Sequence, residues 1–312
     1  MKAVVMVDYG TPEVLQEQGT AKPELKETEA LVEMYVTTVN SGDHLILSGA
    51  FRNIIPLRFP HVLGIEIAGV VREVGEKVKH VKQGDRVIGL TAAGGDYADY
   101  AAVDERGLAV IPSMLSFEET AALPAVGLTA WQSLFQYGEL QPGQRILIHA
   151  GAGAVGHIAV QLAKRHGAYV IATARGDNQE FVRQLGADEV IDYVTTDFAE
   201  AVSPVDIVLD MVRDGGETER KSYTVLKDGG KLLSLVSPSI SKNPRIRGIE
   251  AQFVRPEPNS SDWSSLMRNV QDKKLKVHIE RIFPFSAEGI AEAHRASAAG
   301  RKKGQLLIAR NP

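Results

Sequence analysis

The chain has 312 residues, 44% hydrophobic and 24% charged, with 35 basic against 39 acidic side chains and a formal charge of −4. This is a globular composition, long enough for two domains and without the basic excess that nucleic acid would require. The absence of cysteine excludes disulfides, thiolate metal ligands and cysteine nucleophiles.

No apolar run is long enough to span a bilayer, and MKAVVMVDYG at the start is too short and strand-like for a signal peptide, so a cytoplasmic location is expected by default. The basic triplet Arg301–Lys303 reads as a solvated turn or a local anion contact.

The first third reads as β. Lys2–Asp8 is a short apolar strand closed by the turn cluster Tyr9-Gly10-Thr11-Pro12. Glu29–Val39 alternates in part and is broken by Asn40-Ser41-Gly42-Asp43, with a short helix or loop after it. Val62–Gly75 is apolar with glycines at 64 and 69, which point to a bend or bulge. Arg86–Leu90 and Tyr97–Val103 are further short strands, and together these suggest a small, strongly bent barrel.

At Ser116-Phe117-Glu118-Glu119 a capping box opens a helical stretch, which Pro124 breaks before Gly127–Tyr137 resumes it. Beyond the Pro142-Gly143 turn, strands and helices alternate. The strands are Ile146–Ile148, Tyr169–Thr173, Glu189–Ile191, Val205–Leu209, Lys231–Val236 and Ile246–Ala251; the helices are Val155–His166, Gln179–Leu185 and Thr218–Leu226. Repetition at this spacing predicts a doubly wound parallel sheet. RPEPNSS at Arg255–Ser261 is the most linker-like segment; helices at Trp263–Lys274 and Ala287–Ala299 and a strand at Gln305–Ala309 follow it.

The most informative stretch is Arg145–Gly156, RILIHAGAGAVG. Its pattern Gly151-x-Gly153-x-x-Gly156 lies between a buried strand and an amphipathic helix, the context that makes this common motif specific for a dinucleotide. Absent side chains at Gly151 and Gly153 permit a sharp turn and close backbone approach. The free N–H groups of the helix N-terminus, carried by Ala152, Ala154 and Val155 around the turn, then face a pyrophosphate. Gly156 lets the helix lie close on the strand. An ordinary strand–helix turn is the alternative.

With these motifs in place, the chain resembles the medium-chain dehydrogenase/reductase superfamily over nearly its whole length. The resemblance is carried by VNSGD (Val39–Asp43), LGIEIAGVVREVG (Leu63–Gly75), GDRVIG (Gly84–Gly89), LPAVGLTAWQSL (Leu123–Leu134), AGAGAVG (Ala150–Gly156) and LGAD (Leu185–Asp188). IDY (Ile191–Tyr193), DGGKLLSL (Asp228–Leu235) and FPFSAEGIAEAH (Phe283–His294) add to it. It is similar to the zinc-independent branch, the quinone oxidoreductases and zeta-crystallin. This implies an α/β fold with a Rossmann doubly wound parallel sheet and a GroES-like, mainly β catalytic domain. The expected divisions are 1–118 (GroES-like), 119–252 (Rossmann, cofactor-binding) and 253–312 (return to the catalytic domain).

Zinc alcohol dehydrogenases place catalytic ligands where this chain has Asn40, Ile65 and Ala125, side chains that cannot make a tetrahedral zinc site. Without a Lewis acid a free alcohol is a poor hydride donor, whereas a quinone or conjugated carbonyl is an electrophilic acceptor. The expectation is a zinc-free oxidoreductase that reduces such an acceptor with a nicotinamide cofactor. An NADPH-binding structural or regulatory protein with little turnover is the alternative.

The second strand of the sheet ends Thr173-Ala174-Arg175, with no carboxylate to read a ribose 2′-OH. Arg175 suits a 2′-phosphate, so NADPH is expected over NADH, although Asp177 is near and Arg175 also reads as a solvated loop residue. Asn178 stands where some quinone oxidoreductases place a phosphate-binding lysine.

The resemblance assigns Thr173 and Tyr193 to the adenosine side and Thr129 to the nicotinamide end, with a helix cap as the second reading of Thr129. Leu235-Val236-Ser237 closes a strand at the ligand-binding edge. Asn40 is the candidate polar contact to the substrate and nicotinamide, or a turn residue. Asp43 fits a family position or caps the next helix. Tyr9, Phe51 and Phe253 are candidates to line the acceptor pocket. His149 reads as a packed or backbone-bonded histidine, and Glu66 as a buried structural carboxylate. No residue declares itself a proton donor. A homodimer is expected from the resemblance, through the last Rossmann strand near Ile246–Ala251.

Overall fold

Six strands between residues 145 and 253 pair in parallel. The computed structural model describes residues 1–312 except 92–93, 243–244, 301–302 and 311–312, so Arg301 and Lys302 of the basic triplet lie outside the described residues. Across the sheet the strands run Glu189–Asp192, Tyr169–Ala174, Arg145–Ile148, Val205–Asp210, Leu226–Ser234 and Glu250–Phe253. In chain order that is third, second, first, fourth, fifth, sixth. The order therefore reverses beside Arg145–Ile148, where doubly wound sheets bind ligands at the carboxyl ends of their strands. Helices Ala154–Arg165, Gln179–Gln184 and Glu217–Val225 fall between successive strands. Leu147, Ile171, Val208 and Leu232 are fully buried in the core beneath them.

This sheet belongs to one of two compact units, Val126–Glu257; the other comprises Met1–Ala125 and Pro258–Pro312. The first division falls a few residues beyond the expected 118. Helix Phe117–Thr120 stays with the β unit because the Phe117 ring stacks on Tyr35 and lies under the Arg86 guanidinium. The second falls at 257 rather than 252, because the Gln132 side chain pairs with both backbone groups of Glu257.

The last strand is Glu250–Phe253, displaced from the expected 246–251. Residues 246–249 instead form a tight turn, with Ile249 N–H bonded to the Ile246 carbonyl and positive φ at Arg247 and Gly248. Pro124 does not end its helix. A wide π turn, Leu123–Gly127, carries the chain past the missing proline N–H into Leu128–Gln132, and a second wide turn, Ser133–Tyr137, follows.

In the other unit, strand Glu29–Thr38 is the hub. It pairs antiparallel with Glu66–Val74, Tyr100–Asp104 and Gln305–Ala309. The sheet continues through Arg86–Leu90 to Leu108–Val110 on one side and ends at Ile279–Pro284 on the other. Its register with Glu66–Val74 shifts twice, and Gly69 is the reason the strands can approach. A Cβ there would stand 2.0 Å from the Glu33 carbonyl oxygen. A second sheet joins Leu15–Gly19, Lys2–Met6 and His61–Val62.

Candidate functional site

In the Val126–Glu257 unit, the glycine turn leaves a helix N-terminus without a side-chain cap. Gly153 is the N-cap of Ala154–Arg165, and no side chain bonds to the first amides. Gly153, Ala154 and Val155 are partly exposed, while Gly151, Ala152 and Gly156 are buried. Such an end presents unpaired N–H groups and a positive dipole to an anion. A Cβ on Gly151 would lie 2.9 Å from the Ala172 Cβ, and one on Gly156 would lie 2.2 Å from the Ala150 carbonyl oxygen. The turn's left-handed residue is not a glycine but Ala150, at φ 52°.

A buried histidine braces this turn. Ser222 Oγ donates to the Thr218 carbonyl at 2.7 Å, so its oxygen accepts from His149 Nε2 at 3.1 Å. The neutral ring's Nδ1 then accepts the Thr173 hydroxyl at 3.3 Å, and Thr173 Oγ1 accepts Ala150 N–H at 3.2 Å. Burial pushes His149 down to about 3, which keeps it neutral. It is thus bonded through two side chains rather than to backbone. Thr173 is a brace of the turn, with its carbonyl also holding Gly151 N–H at 2.9 Å.

Arg175 stands at the tip of the second strand, 43% exposed, with Nε 3.8 Å from Asp177 Oδ1. At that exposure the pair is weak and leaves the guanidinium available. Asn178 is buried in the turn after it, and Tyr193 is exposed beyond the third strand. At the ends of the fourth and fifth strands, Ser234 Oγ accepts Val236 N–H at 3.2 Å and Ser237 N–H at 3.1 Å. Leu235 N–H bonds the Asp210 carbonyl at 2.9 Å. Asp210 itself is buried, accepts Val212 N–H at 3.0 Å, and is pushed up to about 6 by desolvation. Sequence reasoning named Leu235, Val236 and Ser237 but missed Ser234 and Asp210, which shape their loop. The available signal was a polar residue closing each apolar strand. Thr129 is half-buried within Leu128–Gln132, whose N-cap is Gly127. Phe253 packs at the margin of the unit's core.

In the β unit, Asn40 and Glu66 form the centre of a polar cluster. Glu66 is fully buried; its Oε1 accepts Ala125 N–H at 2.6 Å, and its Oε2 accepts Asn40 Nδ2 at 2.7 Å and the Thr38 hydroxyl. Asp43 accepts Asn40 N–H at 2.8 Å and so caps helix Ser41–Leu47. The Tyr9 hydroxyl accepts Leu57 N–H at 3.0 Å, and its ring packs edge-on against Phe59. The Phe51 carbonyl accepts the N–H groups of Ile54 and Ile55.

A zinc ion does not fit this donor set. Both amide hydrogens of Asn40 are engaged, Ile65 is hydrocarbon, and Ala125 has no side-chain donor atom. Among the described residues, no group of three or more His, Asp or Glu is placed to hold a metal.

Comparison with known proteins agrees with this architecture. A family model for the alcohol dehydrogenase GroES-like domain matches residues 26–113, and one for a zinc-binding dehydrogenase matches residues 185–308. The chloroplastic quinone-oxidoreductase homolog of Spinacia oleracea is 33% identical over 99% of this chain and 98% of its own. The chloroplastic NADPH-dependent alkenal/one oxidoreductase of Arabidopsis thaliana is 32% identical over 99% of this chain and 79% of its own. The solved structure of the quinone oxidoreductase from Coxiella burnetii matches with a TM-score of 0.91 at 33% identity, covering 99% of each chain. The chain belongs to the medium-chain dehydrogenase/reductase superfamily, in its quinone oxidoreductase branch, and is an oxidoreductase.

Proposed function

We propose that this protein is an NADPH-dependent, zinc-free oxidoreductase that transfers hydride to a quinone or an α,β-unsaturated carbonyl. The observation that carries the cofactor assignment is the uncapped N-terminus of Ala154–Arg165 at the switch point of the sheet. Arg175, rather than a carboxylate, stands at the tip of the neighbouring strand. The printed names of the relatives, quinone and NADPH-dependent alkenal/one oxidoreductases, support the acceptor class and favour turnover over a purely structural role.

NADPH, when bound, supplies the hydride. The amides of the Gly151–Gly156 turn hold its pyrophosphate and Arg175 its 2′-phosphate, with Thr173, Asn178 and Tyr193 on the adenosine side. Thr129 and Leu235–Ser237 serve the nicotinamide end. Asn40, held at its turn by Asp43, is assigned to the acceptor; Tyr9 and Phe51 in the same unit, and Phe253 in the Val126–Glu257 unit, are assigned as candidate acceptor contacts. The reading assigns no acid–base dyad; water or a ribose hydroxyl supplies the proton, and rate comes from orientation and exclusion of bulk solvent. The molecule is read as a homodimer that joins through Glu250–Phe253, whose one paired neighbour among the described residues is Leu226–Ser234.

The test is titration of NADPH and NADH, followed by oxidation of bound cofactor with a simple quinone. Arg175→Ala is expected to raise the NADPH Kd by about 10- to 100-fold, the worth of a charge-assisted pair, and to leave NADH within about twofold. A wild-type preference for NADH would sink the role of Arg175. Binding without oxidation by any quinone or enone would transfer the reading to the regulatory alternative.

Ser234→Ala removes the shared acceptor beneath Val236 and Ser237. It is expected to weaken both cofactors equally, by about three- to tenfold. A selective loss of NADPH would contradict the place given to this loop.

A further inference from the structure

Between Asp43 and Glu66 the chain carries no acidic residue, and the middle of that stretch, Phe51–Pro60, reads FRNIIPLRFP. It forms a tight surface loop of the β unit whose two stems close on one side chain. A Cβ on Gly49 would stand 3.1 Å from Tyr9 Cβ. On the other stem the Tyr9 hydroxyl accepts Leu57 N–H at 3.0 Å, and the Phe59 ring packs edge-on against Tyr9 with centroids 4.9 Å apart. Leu57 turns inward onto the core. Ile54 and Ile55 turn outward. Ile54 is 77% exposed, more than any other large apolar side chain among the described residues, and Ile55 is 42% exposed. Pro56 and Pro60 are exposed as well.

The backbone of this apolar tip is prepared to leave water. The N–H groups of Ile54 and Ile55 both bond to the Phe51 carbonyl, at 2.8 and 2.7 Å, Pro56 has no N–H, and Leu57 N–H is held by Tyr9. From Ile54 to Leu57 no amide hydrogen is left over, so moving the tip into an apolar medium strands no donor. Arg52 and Arg58 flank the tip. Both are exposed, and neither makes an ion pair among the described residues. Asp8, the carboxylate beside Tyr9, accepts the Tyr9 N–H at 2.7 Å. An apolar tip between two unneutralised guanidiniums complements an anionic lipid surface, with hydrocarbon to receive the isoleucines and phosphates to receive the arginines.

We propose that Phe51–Pro60 is a membrane-docking loop, which seats Ile54 and Ile55 in the headgroup layer of an anionic bilayer and sets Arg52 and Arg58 on its phosphates. The proposal rests on the acceptor reading given above and names the class within it: a quinone whose apolar tail is dissolved in the bilayer. Tyr9, one of the candidate acceptor contacts, is the side chain on which both stems of the loop close. Docking therefore holds that contact at the surface where such a quinone is concentrated.

The test is co-sedimentation of the protein with phosphatidylcholine vesicles that contain about one third phosphatidylglycerol, and with phosphatidylcholine alone. Binding to the anionic vesicles is expected to be at least about tenfold the tighter, since each basic side chain near such a surface contributes about fivefold. Ile54→Asn with Ile55→Asn is expected to weaken it by about 10- to 100-fold. Arg52→Gln with Arg58→Gln is expected to weaken it by about tenfold and to remove most of its salt dependence. Both double variants change exposed side chains, so a wild-type Tm and a wild-type rate with water-soluble benzoquinone are expected of them. Their oxidation of NADPH by a benzoquinone bearing a long isoprenoid tail, supplied in the anionic vesicles, is expected to fall in step with binding.

Equal binding to both kinds of vesicle, or binding to neither at low salt, would overturn the proposal. So would anionic-vesicle binding that either double variant retains in full. Wild-type oligomers that Ile54→Asn with Ile55→Asn dissociates, seen by sedimentation velocity, would show the tip covered by a second copy and would overturn it likewise. Vesicle binding needs no turnover and benzoquinone reduction needs no vesicle, so failure of the docking loop and failure of the acceptor reading stay separate.

Discussion

Gly156→Ala is expected to destabilise the Val126–Glu257 unit by about 2–3 kcal/mol and to weaken NADPH binding by at least about 100-fold. The added Cβ would stand 2.2 Å from the Ala150 carbonyl oxygen, 2.9 Å from Gly151 Cα and 3.0 Å from the Ala150 carbonyl carbon. All three are backbone atoms of the turn, so no flexible side chain can yield, and the helix must lift off the strand. Lifting it moves the amides proposed to hold the pyrophosphate. Gly153→Ala is the contrast: its Cβ meets only the Ala150 oxygen, at 3.2 Å. That variant should fold with nearly wild-type stability and lose cofactor affinity alone. Thermal unfolding and NADPH titration of both proteins check this. A wild-type Tm and Kd in Gly156→Ala would mean that the helix does not lie on the turn as described.

The second large effect is pH-dependent and comes from His149. An unfolded histidine titrates near 6.5, whereas burial holds this one at about 3 in the fold. Above pH 6.5 the ring is neutral in both states and its contribution is complete. As pH falls toward 3 the unfolded chain takes up a proton that the folded protein refuses, and stability drops by about 1.4 kcal/mol per pH unit. His294, held at about 4 by burial, acts in the same sense in the β unit. Asp210, raised to about 6, and Asp96, raised by full burial, act in the opposite sense, because folded protein takes their protons first.

The wild-type acid profile is thus a sum of opposed contributions, and a variant isolates the histidine. His149→Gln loses the links to Ser222 and Thr173 and should be about 1–3 kcal/mol less stable at pH 7.5. At pH 4.5 the wild-type protein has lost about 3 kcal/mol through the ring that the variant does not lose. The two urea midpoints should therefore converge or cross between those pH values. A constant gap would show that His149 takes up its proton at the same pH in the folded and unfolded protein, so that burial does not hold it neutral.

Within the Val126–Glu257 unit much was legible in the residues themselves. The strand–glycine–helix pattern, the alternation that makes a parallel sheet, and the basic tip at Arg175 are local properties of a few residues each. Two strand ranges, Arg86–Leu90 and Gln305–Ala309, coincide with the observed elements, because apolar residues bounded by turn formers leave little freedom. The strands Leu15–Gly19 and Ile279–Pro284 carry no such pattern. Pairing with Lys2–Met6 and Gln305–Ala309, rather than their own burial, makes them strands. The path past Pro124 departs from the expected break for a related reason, since a wide turn can absorb a missing N–H that an α-helix cannot.

What the sequence determined by itself was therefore the fold class, the side chains at Asn40, Ile65 and Ala125 and the strand–glycine–helix turn, each written in residue types at short spacing. Only the tertiary structure decided how the polar side chains are used. Glu66 meets Asn40 across 26 residues, and Gln305 meets it across 265. His149 is neutral because the fold buries it completely, and Thr173 and Ser222 then partner its two ring nitrogens. A hydrogen bond's direction and a buried group's charge depend on which partners the fold brings within about 3 Å, and spacing along the chain does not encode that.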